Sequence, residues 1–217
     1  MKPVLLINPN SSERTTEDML AIVRQHLPDV RGWTNVYAPR MITAPEALLA
    51  AAEQIAMSVL PPARAVIVAA FGDPGATALE KTLNVPVIGI GAASARAARQ
   101  GGSAFAVVTT TPKLAPAIDA LMQAQGAGYL GCFLTDGEPE ELLTNQARLD
   151  AALIYACNVA AKAGAQRIII GGGPLATAAI RIAKHVPLPL VQPLVAACQE
   201  VVARTGHSAP PAPDESQ

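Results

Sequence analysis

A chain of 217 residues with 51% hydrophobic residues holds enough apolar material for a buried core, as one large domain or two small ones. Its 16 Lys and Arg balance 17 Asp and Glu, and aromatics make up only 3%, which excludes the basic, aromatic-studded surface of a nucleic-acid binder. No apolar run reaches membrane-spanning length. Met1-Lys2-Pro3-Val4-Leu5-Leu6-Ile7-Asn8 turns polar without a small-residue cleavage site, so a cytoplasmic protein with no membrane contact is expected.

From the N-terminus, runs rich in Val, Ile and Leu alternate with helical stretches. The pattern predicts strands over 3–8, 33–38, 65–70 and 86–89, then over 104–109, 128–133, 166–171 and 188–191. The runs show little polar alternation, which fits parallel strands covered on both faces. Helices are predicted over 14–26, 44–58, 75–82, 92–100, 113–125, 140–163, 174–184 and 193–204. Pro45-Glu46 is a helix start: Pro in the first turn loses no useful hydrogen bond, and Glu46 suits the positive end of the helix dipole. Thr111-Pro112 repeats the signal, and Gly101-Gly102 closes the helix before it. Residues 208–217, rich in Pro, Ala and Ser, read as a disordered tail.

The chain also repeats itself at an offset of about 100 residues. Val4-Leu5-Leu6-Ile7-Asn8 pairs with Phe105-Ala106-Val107-Val108-Thr109, and Val66-Ile67-Val68 before Gly72-Asp73-Pro74 pairs with Ile168-Ile169-Ile170 before Gly172-Gly173-Pro174. Val85-Pro86-Val87 matches Val186-Pro187-Leu188. The expected fold is therefore α/β, with two pseudo-symmetric parallel-sheet domains and a cleft between them. The first half takes 1–95 plus about 192–207, and the second takes 96–191.

In open parallel sheets, ligands sit beyond the carboxyl ends of strands, beside helix N-termini. Four such loops stand out. In Asn8-Pro9-Asn10-Ser11-Ser12, Asn8 at the strand end and Ser11 are candidate ligand contacts, with helix capping as the other role for the serines. In Ala70-Phe71-Gly72-Asp73-Pro74-Gly75, small residues let the backbone at Phe71 and Gly72 approach a ligand oxygen. Asp73 is a helix cap or, alternatively, a general base. Thr109-Thr110-Thr111 places three hydroxyls at a helix start. Gly171-Gly172-Gly173 forms a possible nest of N–H groups, with no Lys-Ser/Thr after it to make a triphosphate loop. Three scattered cysteines (Cys132, Cys157, Cys198) and three scattered histidines give no metal-ligand spacing, so neither a metal nor a cofactor is expected. Free, separated cysteines read as buried structural thiols in a reducing compartment.

Ile7-Asn8-Pro9-Asn10-Ser11-Ser12, Ala70-Phe71-Gly72-Asp73-Pro74-Gly75, Val108-Thr109-Thr110 and Val85-Pro86-Val87-Ile88-Gly89 together resemble the aspartate/glutamate/hydantoin racemase superfamily, and most closely its hydantoin and allantoin racemase branch. The resemblance spans roughly residues 1–205. It implies a cofactor-independent enzyme with its site between two α/β halves, and a thiol from each half on opposite faces of the substrate carbon. Those thiols fall at Ala70 and Gly172, where this chain has no proton carrier. The resemblance further implies that Asn8, Phe71, Gly72, Thr109, Thr110, Gly172 and Gly173 hold substrate oxygens. The expected function is a racemase-like enzyme stabilising an enolate of a small carboxylate or cyclic ureide without the two-thiol step, Asp73 being the candidate proton carrier. A catalytically inactive ligand-binding relative is the alternative. The expected partner is a small carboxylate or hydantoin-like molecule, and the high apolar fraction predicts a homo-oligomer.

Overall fold

A computed structural model describes residues 2–206. The tail expected to be disordered, 208–217, lies outside the described residues. Two four-stranded parallel sheets carry the fold, in the orders β2-β1-β3-β4 and β6-β5-β7-β8. The first sheet comprises β1 (Val4–Asn8), β2 (Val30–Thr34), β3 (Ala65–Val68) and β4 (Val87–Gly89). The second comprises β5 (Phe105–Thr109), β6 (Tyr129–Leu134), β7 (Arg167–Ile170) and β8 (Leu190–Val191). The identical strand order is the structural form of the sequence repeat.

The central strands β1, β3 and β5 are buried along their whole length. Their alternate residues feed opposite faces, as the strand period of two requires. In the first half, Val4, Leu6 and Ile67 pack with α1 (Glu13–Val23) and α9 (Pro193–Thr205). Leu5, Ile7, Val66 and Val68 pack on the other side with α2 (Pro45–Met57) and α3 (Ala76–Thr82). In the second half, Ala106, Val108, Ile168 and Ile170 face α7 (Gln146–Lys162) and α8 (Ala176–Ile182). Phe105, Val107 and Ile169 face α4 (Ile90–Ala98) and α5 (Ala115–Ala124).

Two predicted elements differ from the structure. The second strand, predicted over 33–38, occupies Val30–Thr34. Val36 and Tyr37, the apolar pair that drew the prediction forward, are 64% and 85% exposed in the loop beyond it. That loop is held by Asn35, whose Nδ2 donates to Gln54 Oε1 at 2.7 Å. The helix predicted over 140–163 is two helices, α6 (Pro139–Thr144) and α7, broken at Asn145. Asn145 is extended (φ −129°, ψ 99°), and its Oδ1 accepts from the Arg148 N–H at 3.0 Å. It thus caps the second helix, a role Asn fills better than it fills a helix interior. Among the described residues no helix is long and apolar enough to cross a membrane.

Candidate ligand cleft

The carboxyl ends of β1, β3, β5 and β7 point at one another across the gap between the sheets. They enclose a narrow cavity of about 50 Å³. From the first half come Asn10, Ala69, Ala70 and Phe71, with Met41, Ile42 and Leu48 closing one side. From the second half come Thr109, Thr110, Thr111, Leu114, Ile118 and the segment Gly171 to Leu175. Ala70 and Gly172, the two positions of the implied thiols, both line this cavity.

Asn8 does not line it. It is fully buried, its Nδ2 lying 3.0 Å from Asn10 Oδ1, the Ser12 carbonyl and Thr16 Oγ1, while its Oδ1 accepts from the Asn10 N–H. Asn8 is the frame on which the β1–α1 loop is wound. Asn10, two residues on, reaches the cleft instead. Its Oδ1 is taken by Asn8 and by the Ser12 N–H at 2.9 Å, while its Nδ2 donates to no protein acceptor among the described residues. Ser11 lies outside, in an open depression with Arg14 and Arg40, and its N–H donates to the Pro39 carbonyl. Ser12 caps α1 by accepting from the Thr15 N–H.

Phe71 is the first half's plug. It is buried and packs with Val107, Leu114, Ile118 and Ile169 of the second half. The neighbouring Gly171 makes room for it: a Cβ there would stand 2.9 Å from the Phe71 ring. Gly72 lies behind the wall against Leu48. Asp73 also lies behind it, on the side facing α2 and α3, with both carboxylate oxygens directed at α4 rather than at the cavity.

The second half supplies hydroxyls. Thr109 Oγ1 donates to the Gly171 carbonyl at 2.8 Å and lies 3.1 Å from Thr111 Oγ1. This ties the β5 loop to the β7 loop. Thr110 is buried and makes no side-chain hydrogen bond among the described residues, so its hydroxyl is available in the cleft. The backbone N–H groups of Phe71, Thr110 and Gly172 likewise find no protein acceptor among the described residues. Donors as buried as those of Phe71 and Thr110 normally have a partner, so this end of the cleft is suited to ligand oxygens.

Among the described residues, no Asp, Glu, His, Lys, Arg, Cys or Tyr lines the cavity. The three thiols are elsewhere: Cys132 on β6, Cys157 in α7 and Cys198 in α9. Burial pushes each of them up to about 12, so none is a thiolate at neutral pH. No group of three His, Cys, Asp or Glu able to hold a metal occurs among the described residues.

The Asp/Glu/Hydantoin racemase family matches residues 4–201 of this sequence. The chain belongs to that family. Among its relatives, a hydantoin racemase of Rhizobium meliloti is 28% identical, over 93% of this chain and 88% of its own. The allantoin racemase of Pseudomonas fluorescens superposes with a TM-score of 0.84 at 24% identity, covering 99% of each chain. That of Klebsiella pneumoniae gives 0.83 at 24% identity, covering 100% of this chain and 95% of its own. These structures share the racemase fold, two parallel α/β halves about a cleft, with this family member.

The sequence missed the cleft residues Asn10, Thr111, Met41, Ile42 and Leu48. Asn10 and Thr111 stood inside motifs already singled out, one or two residues from the chosen positions. The apolar trio carried no signal, because it reaches the cleft from a loop and from a helix whose approach to the second half depends on tertiary packing.

Proposed function

We propose that this racemase-family protein binds a small, uncharged cyclic ureide or imide between its halves and holds it without racemising it. The observation that carries this reading is a cleft with unpaired N–H and hydroxyl donors but no titratable side chain. Donors at Asn10, Thr110 and the backbone of Phe71 and Gly172 suit carbonyl oxygens. A carboxylate or dicarboxylate buried there would lack a cationic partner and incur a large desolvation cost. Among the ligands the family resemblance allows, the neutral ureide therefore fits better than the acidic amino acids. Moving a proton on and off carbon calls for a group whose pKa lies near the working pH. A threonine hydroxyl is far from that range, and Ala70 and Gly172 carry no proton at all.

A second reading keeps the protein an enzyme. It is favoured by two hydrogen-bonded hydroxyls at the cleft, Thr111 Oγ1 and Thr109 Oγ1 at 3.1 Å, a short hydroxyl path that ends where Thr109 Oγ1 donates to the Gly171 carbonyl. Titration calorimetry with hydantoin, 5-methylhydantoin, allantoin, aspartate and phenylmalonate separates the readings when each mixture is also followed for change in the ligand. The proposal expects the ureides to bind and remain unaltered, and the acids not to bind. Turnover of a bound ureide supports the hydroxyl path, and preferential binding of the acids contradicts the neutral-ligand reading.

A further inference from the structure

One carboxylate joins the first half's cleft wall to the helix that passes between the halves. Asp73 is the only non-glycine residue with positive φ (50°) among the described residues. Left-handed backbone is unfavourable for most residues with a Cβ, least so for Asn and Asp, and it is steadied where the surroundings hold it. Here they do. One Asp73 oxygen accepts the Gly91 N–H and the other the Ala92 N–H, each at 2.7 Å. These are first-turn donors of α4, whose own cap position is Gly89, with no side chain to offer. The junction is shaped around the carboxylate: a Cβ at Gly89 would stand 2.2 Å from Asp73 Cγ.

The helix α4 belongs to both halves. Ile90 and Ala93 pack in the first-half core, while Ala95 and Ala98 pack with Phe71 against the second sheet. At its far end, the Ala97 carbonyl accepts from Arg167 Nη1 at 3.1 Å, and Arg96 donates to Glu200 of α9 and to Gln125 Oε1 after α5. We infer that Asp73 is a positioning residue that locks the cleft wall at Ala70 and Phe71 onto α4, so that the wall opens only when the first turn of α4 opens with it. This inference holds whatever ligand the cleft takes.

Burial pushes the Asp73 carboxyl up to about 7, against the lowering pull of the Ala92 and Gly91 N–H groups and of Arg96, with Glu200 adding a smaller rise. Glu53 of α2 shares the shallow depression beside Asp73. The closed lock thus keeps a proton that an opened, solvated carboxyl near 3.8 releases. Opening should therefore become easier as pH rises towards about 7, and level off above.

The experiment is amide hydrogen exchange by NMR on the ligand-free full chain from pH 5 to 8, corrected for intrinsic rates. The reporters are the Gly91 and Ala92 amides for the cap, and the Asp73 amide, bonded to the Ala70 carbonyl at 3.0 Å, for the wall. In the wild type the opening constants of both segments should rise in parallel with pH up to about 7. In Asp73→Asn, which tolerates the left-handed backbone, the wall should open at least tenfold more often and lose its pH dependence. A wall as protected in Asp73→Asn as in the wild type would overturn the inference. So would a wild type in which the cap opens with pH and the wall does not, a result readable even if the variant fails to fold.

Discussion

The two halves share a strand order, yet they pin their cleft loops by different means. The Ala70–Gly75 loop of the first half is fixed from behind by an acidic side chain, Asp73, and from in front by an aromatic plug, Phe71, seated in the other half. The Gly171–Leu175 segment of the second half has neither. It relies on backbone freedom, with Gly172 at φ 142°, and on the hydroxyl of Thr109 gripping the Gly171 carbonyl. A repeat thus preserves topology while each copy solves loop placement with its own chemistry. The consequence for function is that Ala70 and Gly172, which both line the cleft, sit on loops held by different contacts, and neither carries a group that takes a proton.

Substitutions should expose this asymmetry. Phe71→Ala removes the cleft's aromatic plug, and it should destabilise the fold by about 3–5 kcal/mol in urea unfolding. A loss near zero would mean that the halves do not depend on the plug. Gly171→Ala drives a Cβ into the same ring and into Val107, and overpacking of that kind should cost about 1–3 kcal/mol in the same assay. Thr109→Val keeps the shape but deprives the Gly171 carbonyl of its donor. A drop of about 1–2 kcal/mol is expected, with a matching loss of ligand affinity if the β7 segment shifts. The smallest effect separates these two cleft positions. Ala70→Cys should be nearly neutral, whereas Gly172→Cys places a side chain at φ 142° and should cost about 1 kcal/mol, visible as a lower melting temperature.

A pH series sharpens the same contrast. The folded Asp73 carboxyl titrates at about 7 and the solvated one near 3.8, so the folded state binds more protons between those values. The stability Asp73 contributes is present below about 4 and declines as pH rises to about 7. The difference in unfolding free energy between wild type and Asp73→Asn should follow that slope. Thr109→Val, which alters the uncharged side of the cleft, should leave it unchanged.

Much of this was legible in the sequence, because buried parallel strands are apolar throughout and the repeat matches the two halves to each other. β1, β3, β5 and β7 stand where their Val and Ile runs predict them. Edge strands are less legible: β2 has exposed Arg31 and Gly32 inside it and apolar Val36 and Tyr37 beyond it, so composition points to the wrong end. The cleft was legible at the level of loops but not of side chains. Asn8 and Asn10 are the same residue type two positions apart, and only the wound loop decides which one reaches the cavity. Asp73 is visible as a helix-capping residue. That it caps a helix 18 residues later, rather than its own, follows from the closeness of the β3 and β4 ends, which only the folded sheet provides.

The most direct test of the central claim is incorporation of deuterium at C5 of 5-methylhydantoin in D₂O, followed by proton NMR with and without the protein. The account predicts that the ligand signals broaden on binding while the C5 proton disappears no faster than in the protein-free control. A C5 proton lost much faster in the presence of the protein would show that the cleft moves protons without a titratable side chain, and would contradict a ligand-holding role.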